Sequence, residues 1–177
     1  MVKRFLVFQH MDWEGPGIHL LRSAEKVGVK LEVVEVWHQP IPDLSPYAGL
    51  FILGGSPNVD QEDKYPFLRA EKTAIRYMVE NDKSYLGFCL GHQLLADVLG
   101  VKVGPNTCRS VGFIEGYLTS QGRQHPLFRN LPNSFPLFKW HGQAALPPVP
   151  NHVEVLVTSS DCQVEAIALR EKPHVIG

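Results

Sequence analysis

Apolar residues in the first half of the chain fall in short unbroken runs, each ended by a polar, proline or glycine break. Arg4 to Phe8 is the first run. An unbroken apolar run, without polar alternation, suits a strand covered on both faces of a sheet. Gly15-Pro16-Gly17 then predicts a helix start, with proline near the first turn. Leu20, Leu21, Ala24 and Val27 form its expected buried stripe, and Gly28 its stop. Leu31 to Trp37 predicts a second strand and Gly49 to Leu53 a third. The loop between them is rich in proline. A helix is expected from Pro66 to Val79, with Phe67, Leu68, Ala74, Ile75, Met78 and Val79 on one side. The run from Ser84 predicts a fourth strand leading at once into a helix closed by Gly100.

This alternation implies parallel strands joined by right-handed crossovers, in a doubly wound, mostly parallel α/β sheet with helices on both faces. Ligands in such sheets sit beyond the carboxyl ends of the strands. Gly54-Gly55 and Cys89 both fall there, so both are expected to face one crevice. The second half changes character. Val111 to Thr119, Phe135 to His141, Val153 to Thr158 and Val164 to Leu169 read as strands without a strong helix. Some are expected to form a small antiparallel extension and others to finish the main sheet. No repeat or linker divides the chain.

At 177 residues, 44% hydrophobic and 20% charged, the composition is that of one globular domain. A net charge of -1 offers no global attraction for nucleic acid or an anionic membrane. No apolar run approaches membrane-spanning length. The apolar start around Val2-Lys3-Arg4-Phe5 ends too early at Gln9-His10 for a signal peptide and reads as a strand. Cys89, Cys108 and Cys162 are scattered, odd in number and without Cys-x-x-Cys spacing. That argues against a disulfide framework or zinc site and for a reducing, cytoplasmic setting.

The chemistry concentrates at Gly87-Phe88-Cys89-Leu90-Gly91. A lone cysteine in an apolar stretch is ordinarily a small core residue. Here a strand precedes it, glycines flank it and a helix follows, which reads as a nucleophile elbow with a thiol as nucleophile. The helix N-terminus is expected to favour the thiolate. Gly54-Gly55 is not a phosphate-binding loop, because no Gly-Lys-Ser/Thr follows. Cys89 and His92 have no second pair with metal-ligand spacing, so neither a metal nor any other cofactor is expected. His10, Asp12 and Glu14 sit at the same sheet edge; a solvated loop is the favoured reading, with shaping of the pocket mouth as the alternative.

Phe51-Ile52-Leu53-Gly54-Gly55-Ser56-Pro57, Gly87 to Gln93, Val111-Gly112-Phe113 and Lys139-Trp140-His141-Gly142 together resemble the class I glutamine amidotransferases, nearest the stand-alone GMP-synthase-like type. The resemblance implies a flavodoxin-like fold and a single type-1 domain over 1–177, incomplete at its C-terminus. It implies hydrolysis of the glutamine γ-amide through a Cys89 γ-glutamyl thioester, with release of ammonia. The Leu90 and Gly55 amides would hold the oxyanion. Gly54, Gln93, Gly112, Phe113 and His141 would help hold glutamine or another γ-glutamyl small molecule. Ammonia would pass to a separate synthase subunit or to solvent.

In the family, a Gln-Phe-His-Pro-Glu segment follows the glycine matched by Gly177 and carries the general base and its carboxylate. Both are expected beyond Gly177, because Pro173 to Gly177 reads as a strand cut short. A gene product that truly ended there is expected to be inactive. His174 has the wrong offset for the base, and a histidine at the position of His141 packs or binds substrate. Two further readings stay open: a binding or regulatory module without turnover, and a γ-glutamyl peptide hydrolase. The elbow also predicts a positive φ at Cys89, Leu90 and Gly55 amides aimed at the sulfur, and no histidine beside it within 1–177.

Overall fold

The computed structural model describes residues 2–177, and of residues 106–110 the backbone only; the Cys108 side chain lies outside the described residues. Strands β1 (Lys3–Gln9), β2 (Val29–Glu35), β3 (Gly49–Ile52) and β4 (Ser84–Gly87) alternate with helices α1 (Gly17–Lys26), α2 (Phe67–Glu80) and α3 (Leu90–Val98). Then come β5 (Lys102–Leu118), the short helix α4 (Ser120–Gln124), β6 (Ser134–Leu146), β7 (Val153–Ser159), β8 (Ala166–Leu169) and β9 (Lys172–Ile176). The nine described strands join one sheet in the order β2-β1-β3-β4-β9-β8-β7-β5-β6. The pairs from β2 through β9 are parallel, and those from β9 through β6 antiparallel.

The chain turns back at β1, with β2 on one side and β3 on the other. Right-handed crossovers therefore put α1 on one face of the sheet and α2 on the other. Helix α3 packs beside α2. The core lies between these helices and the sheet. Leu6, Phe8, Leu50, Ile52, Leu68, Ile75, Met78, Leu90, Leu94 and Leu95 are buried in it. Each such side chain contributes about 1.5–3 kcal/mol relative to exposure.

Helix ends follow local chemistry. Asp82, at φ 54°, takes the left-handed conformation that ends α2, and the Lys83 N–H reaches back to the Met78 carbonyl at 2.9 Å. Gly100, at φ 79°, does the same for α3, where the Val101 N–H meets the Ala96 carbonyl at 2.8 Å.

Three expectations need correction. In α1 only Ala24 is buried, while Leu21 is 44% and Val27 71% exposed. The helix covers β2, the edge of the sheet, so much of its apolar stripe overhangs the rim. The second strand stops at Glu35, because the His38 and Gln39 amides both turn back to the Glu35 carbonyl. The β5–β6 hairpin extends further than Val111 and His141 suggested, from Lys102 to Leu146. Gly104 and Pro105 hide its start, since proline fits a strand where the ladder is broken. The pairing slips between Pro105 and Ser110, which is such a break.

Candidate active site

Cys89 stands between β4 and α3 with φ 50° and ψ -104°, a backbone that L-residues rarely adopt. The surroundings hold it there. The Phe88 N–H bonds the Ile52 carbonyl at 2.9 Å, and the Gln93 N–H takes the Cys89 carbonyl at 3.0 Å as the first helical bond. The buried Tyr85 hydroxyl donates to the Gly91 carbonyl at 2.8 Å. Gly91 is required by contact: a Cβ there would lie 2.3 Å from the Ile52 carbonyl oxygen. The start of α3 therefore sits directly on the end of β3.

The sulfur reaches the crevice, where Cys89 is exposed. The Leu90 and Gly55 backbone N–H groups beside the sulfur favour the thiolate. The thiol itself points at the Trp140 carbonyl oxygen, 3.9 Å away. The helix onset and the two amides favour the thiolate, and burial opposes them. Protein atoms crowd the sulfur on its closed sides, and that burial pushes the thiol pKa up; the two amides oppose it, and the Glu14 charge adds to the rise. Among the described residues, no histidine hydrogen-bonds the sulfur. His174 faces Asp82, which precedes β4, whereas Cys89 follows it.

Two clefts meet at Cys89. One of about 740 Å³ is bordered by Glu14, Gly54, Gly55, Gln93, Val111 and His141, among others. The other, of about 290 Å³, is bordered by His92, Lys139, His141, Glu165 and apolar side chains of the sheet. Gln93 is buried, and its amide nitrogen donates to the Gln143 carbonyl at 3.0 Å, tying α3 to β6. His141 borders both clefts, and its Nδ1 is buried without a hydrogen-bond partner among the described residues. Gly112 and Phe113 border neither. Phe113 is 77% exposed and stacks on Phe138 at 5.3 Å, while its neighbour Val111 reaches the larger cleft.

The reading of His10 and Glu14 as a solvated loop is wrong. His10 is 4% exposed. Its Nδ1 lies 2.7 Å from the Gly54 carbonyl oxygen and its Nε2 3.0 Å from Glu71 Oε1. Both side chains of the ion pair are fully buried. Glu14 borders the larger cleft, and its Oε2 is buried with no partner among the described residues. One signal for the pair was present in the sequence. Leu68, Glu71, Ile75 and Met78 share one helical stripe, so a carboxylate interrupts an otherwise apolar face. Lys139 was likewise not singled out: it is buried and bound by Glu165 at 2.7 Å and Asp161 at 3.3 Å.

The model of the family described as glutamine amidotransferase class-I matches residues 18–177. The chain belongs to this family. Among its relatives is a component of the glutamine-hydrolysing GMP synthase of Methanocaldococcus jannaschii, 27% identical over 172 residues, or 92% of this chain and 81% of that protein. The corresponding component from Archaeoglobus fulgidus is 29% identical over 159 residues, 88% of this chain and 77% of that protein. A crystal structure of a glutamine amidotransferase from Thermotoga maritima superposes with a TM-score of 0.89 at 24% identity, over all of this chain and 74% of that one. The class I amidotransferase fold expected from the motifs is therefore the fold observed. Among the described residues, no helix is long and apolar enough to cross a membrane.

Proposed function

We propose that the chain carries the glutaminase half-reaction, with Cys89 as nucleophile. The observation that carries this reading is the convergence of the Gly55 and Leu90 amides on a sulfur held at a strained elbow. The thiol gives its proton to a base, and sulfur attacks the γ-amide carbon of glutamine. Carbonyl electrons move to oxygen, where preorganised amides stabilise the oxyanion. Collapse breaks the C–N bond, and ammonia leaves with the proton. Water then cleaves the γ-glutamyl thioester, giving glutamate and the free thiol. The cleft bordered by Glu14, Gln93 and His141 is the proposed seat of the substrate.

By the family resemblance, the base and its carboxylate belong to the segment that follows the glycine matched by Gly177. The placement of β9 supports this, since it runs parallel to β4 with Ile176 beside Leu86. A chain continuing from Gly177 would emerge next to the elbow. Relatives named as subunits of a GMP synthase support a separate ammonia-accepting synthase chain as partner, with solvent as the other route.

An electrophilic glutamine analogue incubated with the full-length gene product should label Cys89, and Cys89→Ala should remove the label and the ammonia release. Undiminished labelling of the variant would end the proposal. The absence of a histidine bonded to the sulfur among the described residues favours a second reading, a ligand-binding module without turnover. Glutamine binding by calorimetry without ammonia release would select it. Turnover of γ-glutamyl dipeptides in preference to glutamine would select a peptide hydrolase.

A further inference from the structure

We propose that the buried His10–Glu71 pair is the positioning device of the oxyanion site, acting on Cys89 through the single peptide unit between Gly54 and Gly55. The Gly54 carbonyl and the Gly55 N–H are opposite edges of one planar trans peptide. His10 Nδ1 holds the carbonyl edge at 2.7 Å. The N–H edge therefore points away from His10, and the peptide lies against Cys89. A Cβ on Gly54 would come 3.5 Å from Cys89 Cβ and 4.0 Å from its Sγ, and the Gly55 N–H favours the thiolate. One rotation of that peptide would break both contacts together. The inference rests on the proposed role of Cys89 only where it speaks of an oxyanion; the link from His10 to the sulfur is geometric.

Both ring nitrogens of His10 face acceptors: the Gly54 carbonyl, and the Glu71 carboxylate at 3.0 and 3.3 Å. The Gly54 carbonyl only accepts, so Nδ1 carries a proton, and an ionised Glu71 carboxylate takes the second N–H of an imidazolium. Burial alone would push its pKa down. The Glu71 hydrogen bond and charge, with the Gly54 carbonyl and the Glu14 charge, outweigh that and push it up. A cation on the carbonyl polarises the peptide and strengthens the N–H on its far side.

The ring is locked in place. Phe67 of α2 stacks near it at 5.9 Å. A Cβ on Gly55 would come within 2.9 Å of His10 Cβ and Cγ, so the loop lies on the histidine itself. The titratable groups that face the pair are Glu71 from α2, Glu14 from the loop before α1 and Tyr85 from β4. Tyr85 feels the Glu71 charge while its hydroxyl holds the Gly91 carbonyl. The same buried carboxylate thus stands behind both halves of the elbow. His10 is a positioning residue, since it touches the donor peptide and not the substrate.

The test uses the full-length protein with His10→Ala, His10→Asn and Glu71→Gln. Alkylation of Cys89 by iodoacetamide is followed against pH by mass spectrometry, which needs no turnover of glutamine. Loss of a hydrogen bond to the thiolate should raise the Cys89 pKa by about one unit in His10→Ala. Asparagine can place an N–H near the position of Nδ1 and should restore most of the shift. Glu71→Gln keeps the donor but removes the charge and should fall between. Labelling by the glutamine analogue should drop by up to ~10²-fold in His10→Ala, because donor misplacement is costly. If His10→Ala does not fold, the Glu71→Gln shift carries the test. An unchanged Cys89 pKa in the folded variants would overturn the proposal, even if glutamine turnover persists. So would a ¹⁵N spectrum showing an unprotonated Nδ1 at His10. A shifted Cys89 pKa in a protein that releases no ammonia would uphold the positioning and refute only the glutaminase reading.

Discussion

The two walls of the crevice around Cys89 are built differently. The wall at β1, β3 and β4 is closed. Its peptide donors favour the thiolate, Gly55, Gly87 and Gly91 leave no room for a Cβ, and its buried charge pair is matched. The wall at β6 and β8 has matched charges at Lys139 and Glu165, but the side chains nearest the sulfur are less committed. His141 Nδ1 and Gln143 Oε1 are buried without partners among the described residues. Burial pushes the neighbouring His92 imidazole pKa down. The closed wall supplies the Gly55 and Leu90 amides that favour the thiolate, against the burial that disfavours it. The other wall leaves polar atoms of His141 and Gln143 without partners among the described residues, beside both clefts. On the proposed function, the matched wall is the one that would face an oxyanion, and the less committed, pliant wall the one that would face a ligand.

Substitutions should separate the walls by size of effect. Gly91→Ala puts a Cβ against the Ile52 carbonyl, where neither backbone can retreat. It should cost more than about 4 kcal/mol and abolish the cooperative urea transition. An ordinary transition in this variant would break the contrast outright. His10→Ala leaves the Glu71 carboxylate buried and unpaired, at about 3–5 kcal/mol in denaturant unfolding.

His10 also gives the closed wall a pH signature. Its folded pKa is raised above the unfolded value of about 6.5. Below that unfolded pKa the stabilisation is fully present. It is lost as pH rises through the higher folded value. Thermal melts from the acid to the alkaline side should therefore show a decline that His10→Ala lacks. A variant with the same decline would assign it to another group. On the pliant wall, His141→Ala should shift stability by less than about 1 kcal/mol, because its Nδ1 gives up no hydrogen bond. A loss as large as that of His10→Ala would erase the comparison.

The smallest effect lies outside the crevice. Hydrogen bonds from Arg4, Tyr47 and Lys30 hold Glu32 down to about 2. Its contribution is present above the usual carboxylate range and fades as pH falls through that value. Glu32→Gln should move the acid-unfolding midpoint only slightly, since exposed pairs are screened.

Much of the closed wall was legible because its parts are contiguous. Strand, glycine, cysteine, glycine and helix onset lie within Ser84 to Leu95, and that order admits few geometries. The four-strand, three-helix alternation was legible for the same reason. The β5–β6 hairpin was read short, because Gly104 and Pro105 imitate a turn where the strand merely loses register. The stripe of α1 misled because apolar periodicity marks a face and cannot report that the covering strand is an edge.

The sequence alone determined the parallel core and the candidate residue at the elbow, since these depend on local spacing and backbone sterics, and its motifs carried the resemblance to the family. The His10–Glu71 pair joins residues 61 positions apart, and no local pattern links a loop histidine to a helix carboxylate. Only the packing of α2 against β4 and α3 brings its carboxylate to the loop after β1, where the ring meets both Glu71 and the Gly54 carbonyl. The pKa of Cys89 was decided the same way. Helix onset argued for a thiolate, but the atoms that crowd the sulfur come from distant strands, and their desolvation outweighs the two amides beside it.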